Sequence, residues 1–145
     1  MEDGPSVLLV DDEPSVARAH ARWLRRSGVR VAICEWPVHA LERLSAGERF
    51  DVVICDVRMP ALSGIEFFKR ACIAWPEIEK RILFLSGGMP EDDAQFLYAR
   101  GLPFLPKPLP RNGAELAEMV RELVARVGRS PTGTTPAPEP PQVRK

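Results

Sequence analysis

Apolar and polar positions follow two rhythms along this chain, and the switch between them recurs five times. Short apolar runs of strand length cover Ser6 to Val10, Val29 to Cys34, the stretch from Asp51 to Asp56, Arg81 to Leu85 and Leu102 to Leu105. Between them apolar residues return every three or four positions, which predicts helices over Pro14 to Arg26, Pro37 to Leu44, Ser63 to Ala74, Glu91 to Arg100 and Pro110 to Val127. The breaks fall where backbone chemistry puts them: Pro14 and Pro37 suit a first helical turn, and Ser27-Gly28, Ala46-Gly47, Trp75-Pro76 and Gly101 end the helices. In the first helix Val16, Ala19, His20, Trp23 and Leu24 form the predicted apolar face, opposite Arg18, Arg22, Arg25 and Arg26.

Strands that alternate strictly with helices at this spacing need crossover connections, so they predict a single five-stranded parallel sheet with helices on both faces, an α/β doubly wound fold. The length of 145 residues suits one such domain. Residues 1–5 read as an N-terminal extension and 6–127 as the domain. From 128 to 145 the sequence turns to Pro, Thr, Gly and charged residues with little to bury, which predicts a Pro-rich disordered tail.

Charge then removes whole classes of function. Twenty Lys and Arg balance twenty Asp and Glu, leaving no net field to attract nucleic acid or an anionic membrane. The acidic start and the absence of a long apolar run predict neither a signal peptide nor a membrane span, hence a cytoplasmic address. Cys34, Cys55 and Cys72 are odd in number, widely spaced and set in apolar runs, so they read as buried thiols.

Candidate chemistry sits at the strand ends. In a parallel sheet all carboxyl ends share one rim, where ligands bind. Asp11-Asp12 follows the first strand, Asp56 ends the third, Ser86 follows the fourth and Lys107 the fifth. One Asp after a strand is ordinarily a loop cap. Three carboxylates at one rim repel each other and raise their own pKa values unless a cation intervenes, and a hard divalent ion such as Mg²⁺ fits that need. Ser86 adds a hydroxyl, Gly87 and Gly88 let a ligand approach the backbone, and Lys107, between Pro106 and Pro108, adds a cation. A metal, a hydroxyl and an ammonium around one carboxylate are the parts needed to stabilise a phosphoryl group in transfer, with Asp56 as the nucleophile.

These residues, in this order and together with Met59-Pro60, Gly64 and Lys107-Pro108, resemble a response-regulator receiver domain over about residues 6–127. The resemblance implies the flavodoxin-like strand order 2-1-3-4-5. It implies that Asp56 takes a phosphoryl group from a sensor-kinase histidine, that Asp12, Asp56 and the backbone carbonyl of Arg58 ligate Mg²⁺ (with Mn²⁺ as a substitute) while Asp11 helps through water, and that Ser86, Lys107 and Gly87 hold phosphoryl oxygens. Phe104 stands where relatives carry a switch aromatic that moves with Ser86, although an apolar strand also accounts for it as plain packing. Arg58 and Gly88 depart from common patterns at positions that flank the path of attacking water, so they are expected to set phosphoryl lifetime; Arg58 also stands within reach of Glu91 or Asp92.

The implied partners are a histidine kinase or phosphotransfer protein, engaging the basic first helix, and a downstream protein target. A homodimer stays open. The chain reads as a stand-alone regulator or as the C-terminal receiver of a hybrid histidine kinase. A Mg²⁺-dependent aspartyl-phosphate phosphohydrolase is the alternative from another class; such enzymes want a second carboxylate two residues after the nucleophile, where this chain has Arg58. A phosphorylation-independent docking module is a third reading.

Overall fold

The strand and helix boundaries follow the hydrophobic rhythm closely in the computed structural model, which describes residues 4–109 and 113–130. Strands β1 (Ser6–Val10), β2 (Arg30–Cys34), β3 (Val52–Asp56), β4 (Ile82–Ser86) and β5 (Phe104–Pro106) alternate with helices α1 (Pro14–Arg26), α2 (Pro37–Ser45), α3 (Gly64–Ala74), α4 (Glu91–Arg100) and α5 (Ala114–Val127). The sheet order is β2-β1-β3-β4-β5, and every neighbouring pair is parallel. This is the doubly wound arrangement expected from the alternation.

Every residue of β1, β3 and β4 is buried. That is what continuous apolar runs buy in a sheet covered on both faces. Successive side chains of a strand point to opposite faces, so each run feeds two cores at once. Val53 and Cys55 join Leu8, Val10 and Phe84 beneath α2 and α3, with Phe67, Phe68 and Ala71. Val52 and Ile54 join Val7, Leu9 and Leu83 beneath α1 and α5, with Leu24, Leu116 and Val120. The five strand ends are thereby fixed at one rim by two layers of packing.

Three expectations need correction. The buried stripe of α1 runs through Ala17, His20, Ala21 and Leu24, with Val16, Ala19 and Trp23 only half-buried; Ala17 and Ala21 are fully buried, and side chains that small add little to a hydrophobic pattern. The last helix begins at Ala114, after Gly113, while the expected start at Pro110 lies outside the described residues. The expected disordered tail does not begin at 128: Gly128 to Ser130 are held against the sheet, and Ser130 is 4% exposed. The physical reason is a pair of buried charged residues, Arg81 and Asp51, that need the backbone groups of this segment as partners. The rest of that tail, residues 131–145, lies outside the described residues. A 3-10 turn, Pro76–Lys80, fills the step between α3 and β4.

Candidate phosphoryl-acceptor site

Each functional side chain is delivered by the end of a strand. Asp56 is the last residue of β3 and Ser86 the last of β4; Asp11 follows β1 and Lys107 follows β5. The registers Val10↔Cys55 and Asp56↔Leu85 hold these ends level, and the main chain locks them together. Lys107 N–H donates to the Ser86 carbonyl at 2.7 Å, and Val57 N–H donates to Leu85 at 2.8 Å. The Lys107–Pro108 peptide is cis.

Oxygens of Asp11, Asp12 and Asp56 lie within 4.8 Å of one another. Lys107 Nζ is 3.1 Å from Asp56 Oδ2 and 3.7 Å from both Asp11 Oδ2 and Glu13 Oε1. Asp11 divides its two oxygens between structure and site. Its Oδ1 accepts the Glu13 N–H at 3.0 Å, at the start of α1, which otherwise has no side-chain cap. Its Oδ2 is buried and accepts no hydrogen bond among the described residues.

Electrostatics follow from that crowding. Burial pushes the Asp11 carboxyl from 3.8 up to about 6; the Glu13 N–H and Lys107 oppose this, and the charge of Asp56 adds to it. Asp12 is raised as well, by burial first, with Asp56 adding. Burial works against the charge on Lys107, yet Asp11 and Asp56 together outweigh it and its pKa rises. One ammonium thus faces three nearby carboxylates, Asp11, Glu13 and Asp56. A buried carboxylate oxygen without a donor, beside two more carboxylates, is the environment an oxygen-seeking divalent cation satisfies, so the residues present fit Mg²⁺. Glu13 was legible only as one of the acids before a helix; its link to Lys107 depends on a strand end 94 positions away in the sequence.

The loops around Asp56 place the remaining predicted residues. Arg58 N–H reaches Asp56 Oδ1 at 3.4 Å. The Arg58 side chain crosses to the next loop, where its Nη1 donates to the Gly88 carbonyl at 3.4 Å. Among the described residues no ion pair joins it to Glu91 or Asp92. The two positions singled out for their effect on lifetime therefore touch. Ser86 is buried and its Oγ accepts the Gly88 N–H at 3.3 Å; Gly87 lies beside the Lys107 side chain. Phe104 is half-buried, pairs in register with Phe84 one strand over, and meets the exposed ring of Tyr98 edge-on at 5.8 Å. It is thus both packed on the core and covered by a surface aromatic.

Gly64 opens α3 and shows why no other residue suits that point. A Cβ there would collide with the carbonyl oxygen of Asp56 and come 2.9 Å from Val57 Cα. Its N–H donates to Val57 at 2.8 Å, and Ser63 caps the helix by accepting the Glu66 N–H. Helix α3 therefore starts directly against the backbone that carries Asp56.

Comparison with known proteins agrees with this geometry. Residues 7–121 match the family model described as response regulator receiver domain. The chain is 33% identical over 132 residues to the transcriptional regulatory protein ZraR of Klebsiella oxytoca, covering 90% of this chain and 29% of ZraR. It is 33% identical over 128 residues to the sensor kinase CckA of Brucella abortus, covering 83% of this chain and 13% of that kinase. Among solved structures, the receiver domain of the hybrid histidine kinase CckA superposes with a TM-score of 0.65 at 30% identity, covering 82% of this chain and 98% of that one. The chain thus spans under a third of the length of these two curated relatives. It belongs to the response-regulator receiver domain family of two-component signalling.

Proposed function

We propose that Asp56 is the phosphoacceptor, and that it takes its phosphoryl group from a phosphohistidine of a sensor kinase or phosphotransfer protein. The observation that carries this is the surroundings of Asp56: Lys107 Nζ at 3.1 Å, with Asp11 and Asp12 oxygens inside the same 4.8 Å cluster. A carboxylate oxygen of Asp56 attacks phosphorus as the P–N bond to the donor imidazole breaks, and the electron pair of that bond leaves with the imidazole. Lys107 and the Ser86 hydroxyl hold the phosphoryl oxygens, and the glycines at 87 and 88 leave room for them. Asp11, Asp12, Asp56 and the carbonyl of Arg58 would hold Mg²⁺, which supplies positive charge to offset the charge spread over the transferring group. Asp11 Oδ1 stays engaged with the start of α1, so its Oδ2 is the oxygen left for the cation or its water.

Arg58 and Gly88 set how long the phosphoryl group survives; their side-chain to carbonyl contact joins the loops that follow Asp56 and Ser86. Helix α1 receives the donor. Arg18, Arg22, Arg25 and Arg26 line a depression of about 430 Å³, a basic surface along the helix that starts at the acidic rim and runs away from it. Phe104 and Tyr98 carry the response to a downstream partner on the α4–β5 surface. The site acts in the cytoplasm; no helix among the described residues is long and apolar enough to cross a membrane. Likeness to both a regulator and a hybrid kinase supports either a stand-alone regulator or a kinase-borne receiver.

The test is incubation with acetyl phosphate and Mg²⁺ followed by intact mass. One added phosphoryl group, lost in Asp56→Asn, is the expected outcome. Uptake that persists in Asp56→Asn sinks the assignment.

A further inference from the structure

The opposite rim of the sheet holds a second constellation of buried charge. Asp51 immediately precedes β3 and is 3% exposed; Arg81 immediately precedes β4 and is 1% exposed. Both would be costly to bury unless fully partnered. Most of their partners come from the two ends of the domain. Asp51 Oδ2 accepts the Ser6 N–H at 2.8 Å and the Ser6 hydroxyl at 3.3 Å, and its Oδ1 accepts the Ser130 N–H at 2.7 Å. Arg129 Nε adds an ion pair to Asp51 Oδ2 at 3.3 Å. Arg81 Nη1 donates to the carbonyls of Gly128 at 2.7 Å and Asp51 at 3.2 Å; its Nη2 donates to the Arg129 carbonyl at 3.1 Å and to Glu77 at 3.5 Å.

We propose that Arg81 and Asp51 form a built docking site for the main chain of Gly128–Ser130, so that the segment leaving α5 is a strap fastened beneath the sheet. The recognition is of backbone: two carbonyls of the strap meet the guanidinium fork and one amide meets the carboxylate. Charge-assisted bonds to buried Arg81 and Asp51 hold such a strap better than side-chain packing would, since the strap residues, Gly, Arg and Ser, offer little apolar surface. Because Ser6 and Ser130 share one carboxylate, the first strand and the strap are stapled to the same point. The staple stands at the start of β3 and Asp56 at its end, on the order of 15 Å apart along an extended strand. Whatever follows Ser130 therefore sets out from the rim remote from Asp56.

Amide exchange in the full chain, followed by NMR, tests this. The Ser130 amide is expected to exchange at least about tenfold more slowly than an unstructured serine. Arg81→Met, which keeps the apolar stem and removes the fork, is expected to erase that protection while leaving core amides of β1 and β3 protected. If Arg81→Met fails to fold, Arg81→Lys, which keeps a charge but cannot form the fork, is expected to reduce the protection. An unprotected Ser130 amide in the native chain, or full protection in a folded Arg81→Met, overturns the proposal. Phosphoryl uptake from acetyl phosphate by folded Arg81→Met is expected within about twofold of the native rate, since separate rims carry the two functions. That last arm rests on the proposed role of Asp56, whereas the exchange measurements do not; loss of uptake in Arg81→Met with the native chain active would refute the separation.

Discussion

Two aspartates bracket β3, one just before the strand and one at its end, and both are nearly inaccessible to solvent. Asp51 accepts three hydrogen bonds and one ion pair and so has nothing left to offer. Asp56 faces two other carboxylates, one lysine at 3.1 Å and one long backbone contact. The contrast teaches that burial of a carboxylate does not make it reactive. What matters is what surrounds its oxygens: Asp51 is met by donors and is a fastener, whereas Asp56 stands among other carboxylates, where a cation is favoured.

The sharpest way to break this contrast is to remove each charge in turn. Asp56→Asn is expected to abolish phosphoryl uptake completely while the protein stays folded, and Asp51→Asn to retain uptake; intact mass after acetyl phosphate treatment checks both. The stability effects should run the other way. Asp51→Ala leaves the Ser6 and Ser130 amides without their acceptor, and two buried donors at roughly 1–3 kcal/mol each predict a loss of about 2–6 kcal/mol, read as a shift in the urea midpoint. Arg129, half-exposed, adds little to that figure.

A third prediction uses proton binding. Asp11 has a folded pKa of about 6 against an ordinary 3.8, so the folded state holds its proton over that window and the unfolded state does not. A raised acid pKa means that stability falls as pH climbs from about 4 to about 6, by up to about 3 kcal/mol, and stays lower above that. Bound Mg²⁺ offsets the repulsion only once the carboxylates are ionised. The rise in Tm on adding Mg²⁺ is therefore expected to be larger at pH 7 than at pH 5, and an equal rise at both would place the cation elsewhere. The smallest effect concerns the contact across the two loops. Arg58→Ala, which frees the Gly88 carbonyl, is expected to shorten the phosphoryl lifetime by a few-fold, less than about 1 kcal/mol of barrier, as read from the decay of phosphoprotein after donor removal.

The same pair of aspartates shows what the sequence could and could not reveal. Asp56 stood out because an apolar run leads into it and three other such runs end in polar groups of matching use. Asp51 precedes its run, where a polar residue ordinarily meets solvent, and its partners lie 45 and 79 positions away, so no local pattern marks it. Arg81 was hidden the same way, as the polar start of a strand. The strap looked disordered because its composition offers nothing to a hydrophobic core, and hydrogen bonding to buried charge leaves no compositional trace. Sheet, strand ends and helix positions were legible because each depends on periodic burial. On α1 the predicted face shares His20 and Leu24 with the buried stripe but passes over Ala17 and Ala21, whose small side chains weigh little in a hydrophobic pattern.

The seat of Gly64 on the Asp56 carbonyl has a genetic consequence. Here a single added methyl, the mildest change a codon can make at that position, presses on the main chain of Asp56 without altering charge, polarity or any side chain of the cluster. In a saturation screen, position 64 should score among the inactive alleles beside 56 and 107, although no inventory of chemically competent groups would include it.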